Sequence, residues 1–126
     1  MKTFIGALVS LALILGGIVW YEVTLNQNVD EINMVIQSLS DHIYQEDLEQ
    51  TESDIDKLEK QWDSMQNWLM AFNDHKEISE ISRCLIMLRS YYEYGDFAEM
   101  GGQLKTFSLL LNYAVESSKP TLVNIL

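Results

Sequence analysis

Asp74, His75 and Glu77 put an imidazole among two carboxylates within four residues. A titratable ring among acids is the raw material of a divalent-cation site or a pH-sensitive group. The same residues fit a second pattern. An Asp followed three positions later by a Glu is a capping box, in which the Asp accepts from free amide N–H groups at a helix start and the Glu reaches back. The cap is the preferred reading. It engages both acids with the backbone and leaves His75 in a first turn, so no metal and no cofactor are expected. Asp74, His75 and Glu77 remain the candidates for a metal site. His42 lies with Asp41, Glu46 and Asp47, acids that suit Ca²⁺ but lack the spacing of an EF-hand. Cys84 is the one thiol; it offers an intermolecular disulfide or, as preferred here, a buried inert side chain.

Trp62, Trp68, Tyr91, Tyr92, Tyr94 and Tyr113 could line a groove for a peptide or glycan, although helical spacing makes them core residues first. Trp68 and Tyr91 fall off the apolar stripes and are the partner-binding candidates among them. The tail adds Leu122, Ile125 and Leu126, apolar residues beyond Pro120 that either dock into a partner or, the favoured alternative, fold back over the open end of the domain.

The wider inventory is exclusionary. One Cys rules out a disulfide framework and every multi-Cys zinc site. Nineteen acids against eight bases, a net charge of −11, argue against nucleic acid. Phosphate-binding glycine loops, H-E-x-x-H and G-x-S-x-G are absent. The chain is expected not to be an enzyme.

The elements that must position these residues begin with an apolar run. Residues 4–21 carry no charge and one polar side chain, Ser10. As a helix they span about 27 Å, close to the hydrocarbon thickness of a bilayer. Lys2 precedes the run and Glu22, Asp30 and Glu31 follow it, which orients the N-terminus to the cytoplasm and the rest outside. Trp20 and Tyr21 suit the membrane–water interface, and no small-residue cleavage site follows them, so an uncleaved anchor is preferred over a signal peptide.

Beyond the run the apolar residues recur at steps of three and four. The stripes are Leu25, Val29, Ile32, Ile36, Leu39, Ile43; Ile55, Leu58, Trp62, Met65, Leu69, Phe72; Ile78, Ile81, Leu85, Leu88, Tyr92; and Phe97, Met100, Leu104, Phe107, Leu111, Ala114. Each makes one apolar helix face. Asp47, Asp74 and Asp96 mark helix starts, Gly95 a helix end and Pro120 a stop. Nothing between Tyr21 and Leu25 breaks the first helix, so it should run on out of the apolar segment. Shifting the chain by 49 residues superimposes the stripes and the connector: Ile36 falls on Leu85, Asp47 on Asp96 and Ile55 on Leu104. This predicts two similar helical hairpins. Gly101-Gly102 costs a helix about 2 kcal/mol relative to alanines, and marks a close helix approach, a kink or a frayed turn.

Several strings resemble the uncharacterised bacterial family called domain of unknown function 4363. They are the N-terminal anchor, Glu46-Asp47-Leu48, Lys60-Gln61-Trp62 with Trp68, Phe72-x-Asp74-His75-x-Glu77-Ile78, and the ending Lys119-Pro120-Thr121-Leu122-Val123-Asn124-Ile125-Leu126. Leu48, where the family pattern has Trp, and the Gly101-Gly102 pair depart from it. The resemblance implies membrane attachment and an all-α domain, with no known reaction.

The expected architecture is all-α: a transmembrane signal-anchor over residues 1–22, and an acidic bundle over 23–118 made of hairpins at about 25–72 and 76–116 in TPR-like pairing. An apolar tail over 119–126 follows. The expected role is a non-enzymatic accessory or scaffold. It sits in the cell membrane through residues 4–21 and binds another membrane protein or a second copy of itself. The alternative is an extracytoplasmic ligand or metal sensor using the His75 cluster.

Overall fold

The computed structural model describes residues 2–71 and 73–118. The tail candidates Leu122, Ile125 and Leu126, together with Phe72 and Pro120, lie outside the described residues. Four helices follow one another: α1 (Lys2–Tyr44), α2 (Leu48–Met70), α3 (His75–Glu93) and α4 (Phe97–Ser118). Among the described residues there is no strand. The chain is the expected all-α bundle of two helical hairpins.

α1 is one unbroken helix of 43 residues, about 65 Å long. Residues 2–20 of its N-terminal part are exposed apart from a half-buried Ile18, and the Trp20 ring meets Trp68 of α2. From Tyr21 onward it joins the bundle through Tyr21, Leu25, Ile32, Leu39 and Ile43. α2 packs antiparallel on α1, and α4 antiparallel on α3. α4 also returns to α1 and α2 contacts α3, so the two hairpins close into a ring. The expected stripes form its core: Ile55, Leu58, Trp62, Met65 and Leu69 from α2, Ile78, Ile81, Leu85 and Leu88 from α3, and Met100, Leu104, Phe107, Leu111 and Ala114 from α4.

The two tight turns share one geometry, and it explains the 49-residue shift. After α3, Gly95 N–H bonds to the Tyr92 carbonyl at 3.0 Å and Asp96 N–H to the Tyr91 carbonyl at 2.9 Å. This is a Schellman motif, with Gly95 left-handed at φ 70°. After α1, Glu46 N–H bonds to the Ile43 carbonyl and Asp47 N–H to the His42 carbonyl, both at 3.0 Å. Asp47 and Asp96 then cap the following helices, each accepting at 3.1 Å from the third backbone amide on, Gln50 and Glu99. The difference is at the left-handed position, which Glu46 occupies at φ 56°. A side chain there crowds its own backbone, at a cost of about 1–2 kcal/mol. Glu46→Gly is therefore expected to raise stability by about 0.5–1 kcal/mol once the greater freedom of the unfolded glycine is set against the relieved strain. Gly95→Ala should lower it by a similar amount or more. Paired urea titrations of the two variants check both signs; a destabilised Glu46→Gly would contradict this account of the turn.

The third junction differs. Asp74 caps α3 by accepting from Lys76 N–H at 3.2 Å, so the cap itself is as expected. The reciprocal half of the capping box is not made by Glu77 or Glu99 among the described hydrogen bonds. Gly101 and Gly102 lie inside α4, and a Cβ on either would meet nothing within 4 Å. A close helix approach, one of the three readings of this pair, does not occur among the described residues. Nor is the first turn frayed there, because Asp96 caps it.

Candidate functional site

Three places in the bundle bring polar and aromatic side chains together. The first is a groove between α2 and α3. Contact between the hairpins is looser here than within them, and a cavity of about 380 Å³ opens along the seam. Trp62 and Leu85 form its floor, Glu59, Asp63 and Gln66 line the α2 side, and Ser82, Ile86 and Arg89 line the α3 side. Trp62 is 2 % exposed. Its Nε1 donates to Ser82 Oγ at 2.9 Å, and its ring meets Phe107 of α4 edge-on with centroids 5.9 Å apart. Arg89 closes one end, its Nε donating to Glu59 Oε1 at 2.8 Å and its Nη2 to Asp56 Oδ1 at 2.5 Å. Partial burial opposes the guanidinium charge, but its hydrogen bonds to Asp56 and Glu59 outweigh it and hold the Arg89 pKa above its ordinary value. Ile86 is 69 % exposed on the rim, an apolar side chain beside acids.

The second is a polar point within the first hairpin. Asp54 of α2 is 3 % exposed. Its Oδ2 accepts from Ser38 Oγ at 2.9 Å and pairs with His42 Nδ1 at 2.5 Å. Ser38 and His42 are one turn apart on α1, so they face α2 together. His42 thus faces Asp54 across the hairpin, where the sequence groups it with Asp41, Glu46 and Asp47. Serine and histidine share one carboxylate oxygen. A nucleophile relay needs the histidine between the other two, so this arrangement has the form of a structural pair.

The third is at the end of the bundle where α1 enters. The Trp68 ring lies 5.6 Å from that of Trp20 and 5.5 Å from that of Tyr21. Trp68 is half-buried, as is the other aromatic candidate, Tyr91. His75 is exposed at the first position of α3, and Asp74 is engaged by Lys76 N–H. Among the described residues, no group of three or more His, Cys, Asp and Glu side chains is placed to hold a metal ion.

Cys84 is buried on α3. Desolvation pushes its thiol above the ordinary value; Arg83 pulls it back and Glu80 adds to the rise. Native protein should therefore react slowly with iodoacetamide at pH 8, and denatured protein at the rate of a free thiol. A proton held more tightly in the folded state also means that stability falls as pH rises through the ordinary thiol range. Rapid native alkylation, read by mass spectrometry, would contradict the burial.

Sequence reasoning missed Asp54, Ser38, Arg89 and Ile86. Asp54 did leave a trace: it stands four residues before Leu58, on the core side of an otherwise apolar stripe.

The arrangement defines an antiparallel four-helix bundle built of two similar hairpins, its first helix prolonged by an exposed apolar segment. The chain belongs to the family described as domain of unknown function (DUF4363), which it matches over residues 19–125. Comparison with curated proteins and with solved structures returned no match.

Proposed function

We propose that this protein is a non-enzymatic accessory subunit, held in the cell membrane by the N-terminal part of α1 and binding another membrane protein through its bundle. The observation that supports this most is the fate of the apolar run. It is helical, none of its most apolar 18-residue window is buried against the rest of the chain, and it continues without a break into a packed domain. A soluble core helix would bury such a surface, at about 25 cal/mol per Å² gained. A cleaved signal would take with it the Trp20 ring that packs on Trp68. The anchor confines the search for a partner to the plane of the bilayer, and helical hairpins offer grooves to helices and extended peptides. The α2–α3 groove, with its Trp62 floor, acidic α2 side and exposed Ile86, suits an apolar segment flanked by basic residues. The acids and Arg89 set its electrostatics. No convergence of Asp74, His75 and Glu77 favours the alternative of a metal sensor.

The test is photocrosslinking in cells from a reactive residue at position 86, followed by purification in detergent and mass spectrometry. A second membrane protein recovered in stoichiometric amount is the expected result. Self-crosslinks alone would reduce the proposal to a homo-oligomer. The same preparation gives the N-terminal mass; loss of the first twenty or so residues would sink the anchor. Protease added to intact cells tests the placement of the domain outside, and full protection would put it in the cytoplasm.

A further inference from the structure

The bundle has two unlike ends. One carries the tight turns at residues 45–47 and 94–96. The other gathers Tyr21 of α1, the last turns of α2, the start of α3 and the end of α4. At this second end the charges thin out along three stretches. Residues 23–29, 64–73 and 106–115 contain no charged side chain, although the chain as a whole holds 19 acids. Trp68, Asn67 and Ala71 of the α2 end form with Tyr21 an open, mainly apolar hollow of about 440 Å³. Trp20 beside it is 62 % exposed.

We infer that this end of the bundle rests in the headgroup layer of the bilayer that α1 enters, with Trp68 as a second interfacial anchor beside Trp20 and Tyr21. The inference rests on the membrane reading proposed above and adds a lipid contact for the domain itself. The geometry sets the depth. The apolar run of about 27 Å nearly fills the hydrocarbon core and leaves Trp20 and Tyr21 at its edge, in an interfacial layer roughly 5–8 Å thick. The Trp68 ring is within 5.6 Å of both rings, so it cannot be far from the same layer. Tryptophan is favoured there because its flat apolar ring and single N–H match a region that is apolar on one side and wet on the other. The charge-free end of α2, and the charge-free stretch of α4 that precedes Glu116, lower the desolvation cost that carboxylates would bring to that layer. The nearest charges are Glu22 on α1, Asp74, Lys76 and Glu77 at the start of α3, and the exposed Glu116 in the last turn of α4; they sit where helices begin or end and can keep their heads in water. With no basic cluster among them, the surface fits zwitterionic headgroups and does not depend on anionic lipid.

The experiment uses the full chain reconstituted in phosphatidylcholine vesicles whose upper acyl chains carry bromine, which quenches indole emission on contact. Trp62 stays in every variant as the internal reference, because it is enclosed by the core. Three proteins are compared: Trp20→Phe, Trp68→Phe, and the double variant that keeps Trp62 alone. The Trp20→Phe protein should lose about half of the emission contributed by Trp68, as an indole at the interface would, and the double variant almost none of its own. Quenching of Trp20 in the Trp68→Phe protein, with Trp68 untouched in the Trp20→Phe protein, would overturn the inference while leaving the span intact. That outcome would free the hollow for a protein neighbour. Absence of quenching in all three would overturn the inference and the membrane reading together.

Discussion

Trp62→Ala is expected to bring the bundle close to unfolding. Trp62 is the largest fully buried side chain. It touches the helices of the second hairpin through two different contacts, the bond from Nε1 to Ser82 on α3 and the edge-on packing against Phe107 on α4. Truncating a buried Trp costs about 3–5 kcal/mol, from lost transfer energy and the cavity left behind. A small domain has about 5–15 kcal/mol in all. The seam between the hairpins is the looser one and already holds a cavity on this side, so the site has few atoms able to collapse inward. Trp62→Phe separates the two contacts. It keeps a ring against Phe107 and removes the donor to Ser82, with an expected cost of about 1–2 kcal/mol. Far-UV circular dichroism against urea, on the full chain in mild detergent, reads both. A Trp62→Ala protein within about 1 kcal/mol of the parent would show that the hairpins hold together without this side chain.

The role of Trp62 as a core residue is legible in the sequence, because it sits on the stripe of α2 between Leu58 and Met65. Periodicity of that kind fixes which face of each helix is buried, and all four faces are as the spacing implies. The 49-residue shift carries more, since it holds across the connector. It pairs Glu46 with Gly95, and the structure gives both residues the left-handed conformation. A glutamate does not advertise that geometry; only its alignment with a glycine does.

What stays illegible depends on the register of one helix against another. Arg89 reaches Glu59 and Asp56 across 30 and 33 residues of sequence, and no local pattern encodes that pairing. Trp68 falls off the α2 stripe, so hydropathy marks it as surface. It is half-buried because α1 extends past the core and offers Trp20 and Tyr21 as a wall. His42 stands in sequence among Asp41, Glu46 and Asp47, yet its partner lies on the facing helix. Hydropathy sorting also misfiles Asp54, because an aspartate in a charged helix reads as solvated until the opposing helix is placed against it.

The pair at Asp54 yields the second large expected effect. His42→Ala should destabilise the protein by about 2–4 kcal/mol, because it leaves a nearly enclosed carboxylate with Ser38 as its remaining hydrogen-bond partner. His42 itself keeps a quarter of its side-chain surface exposed, so water screens part of the interaction and the upper end of that range is a ceiling. Ser38→Ala should cost less, about 1–2 kcal/mol, since the histidine remains. The informative variant is the double replacement His42→Leu with Asp54→Leu. Removing both partners of a buried pair together is often neutral or stabilising, because no polar group is left buried without its partner. If the pair contributed net stability, the double variant would be as weak as His42→Ala; recovery to near the parent value means that the cost of His42→Ala was that of an orphaned carboxylate. The two outcomes also divide on structure. Ser38, His42 and Asp54 fix how far α2 can slide along α1, since one turn of slip would separate all three groups. A double variant that regains stability but loses its sharp near-UV dichroism would assign the pair to register. One that regains both would leave register to the Glu46 turn and the apolar stripes.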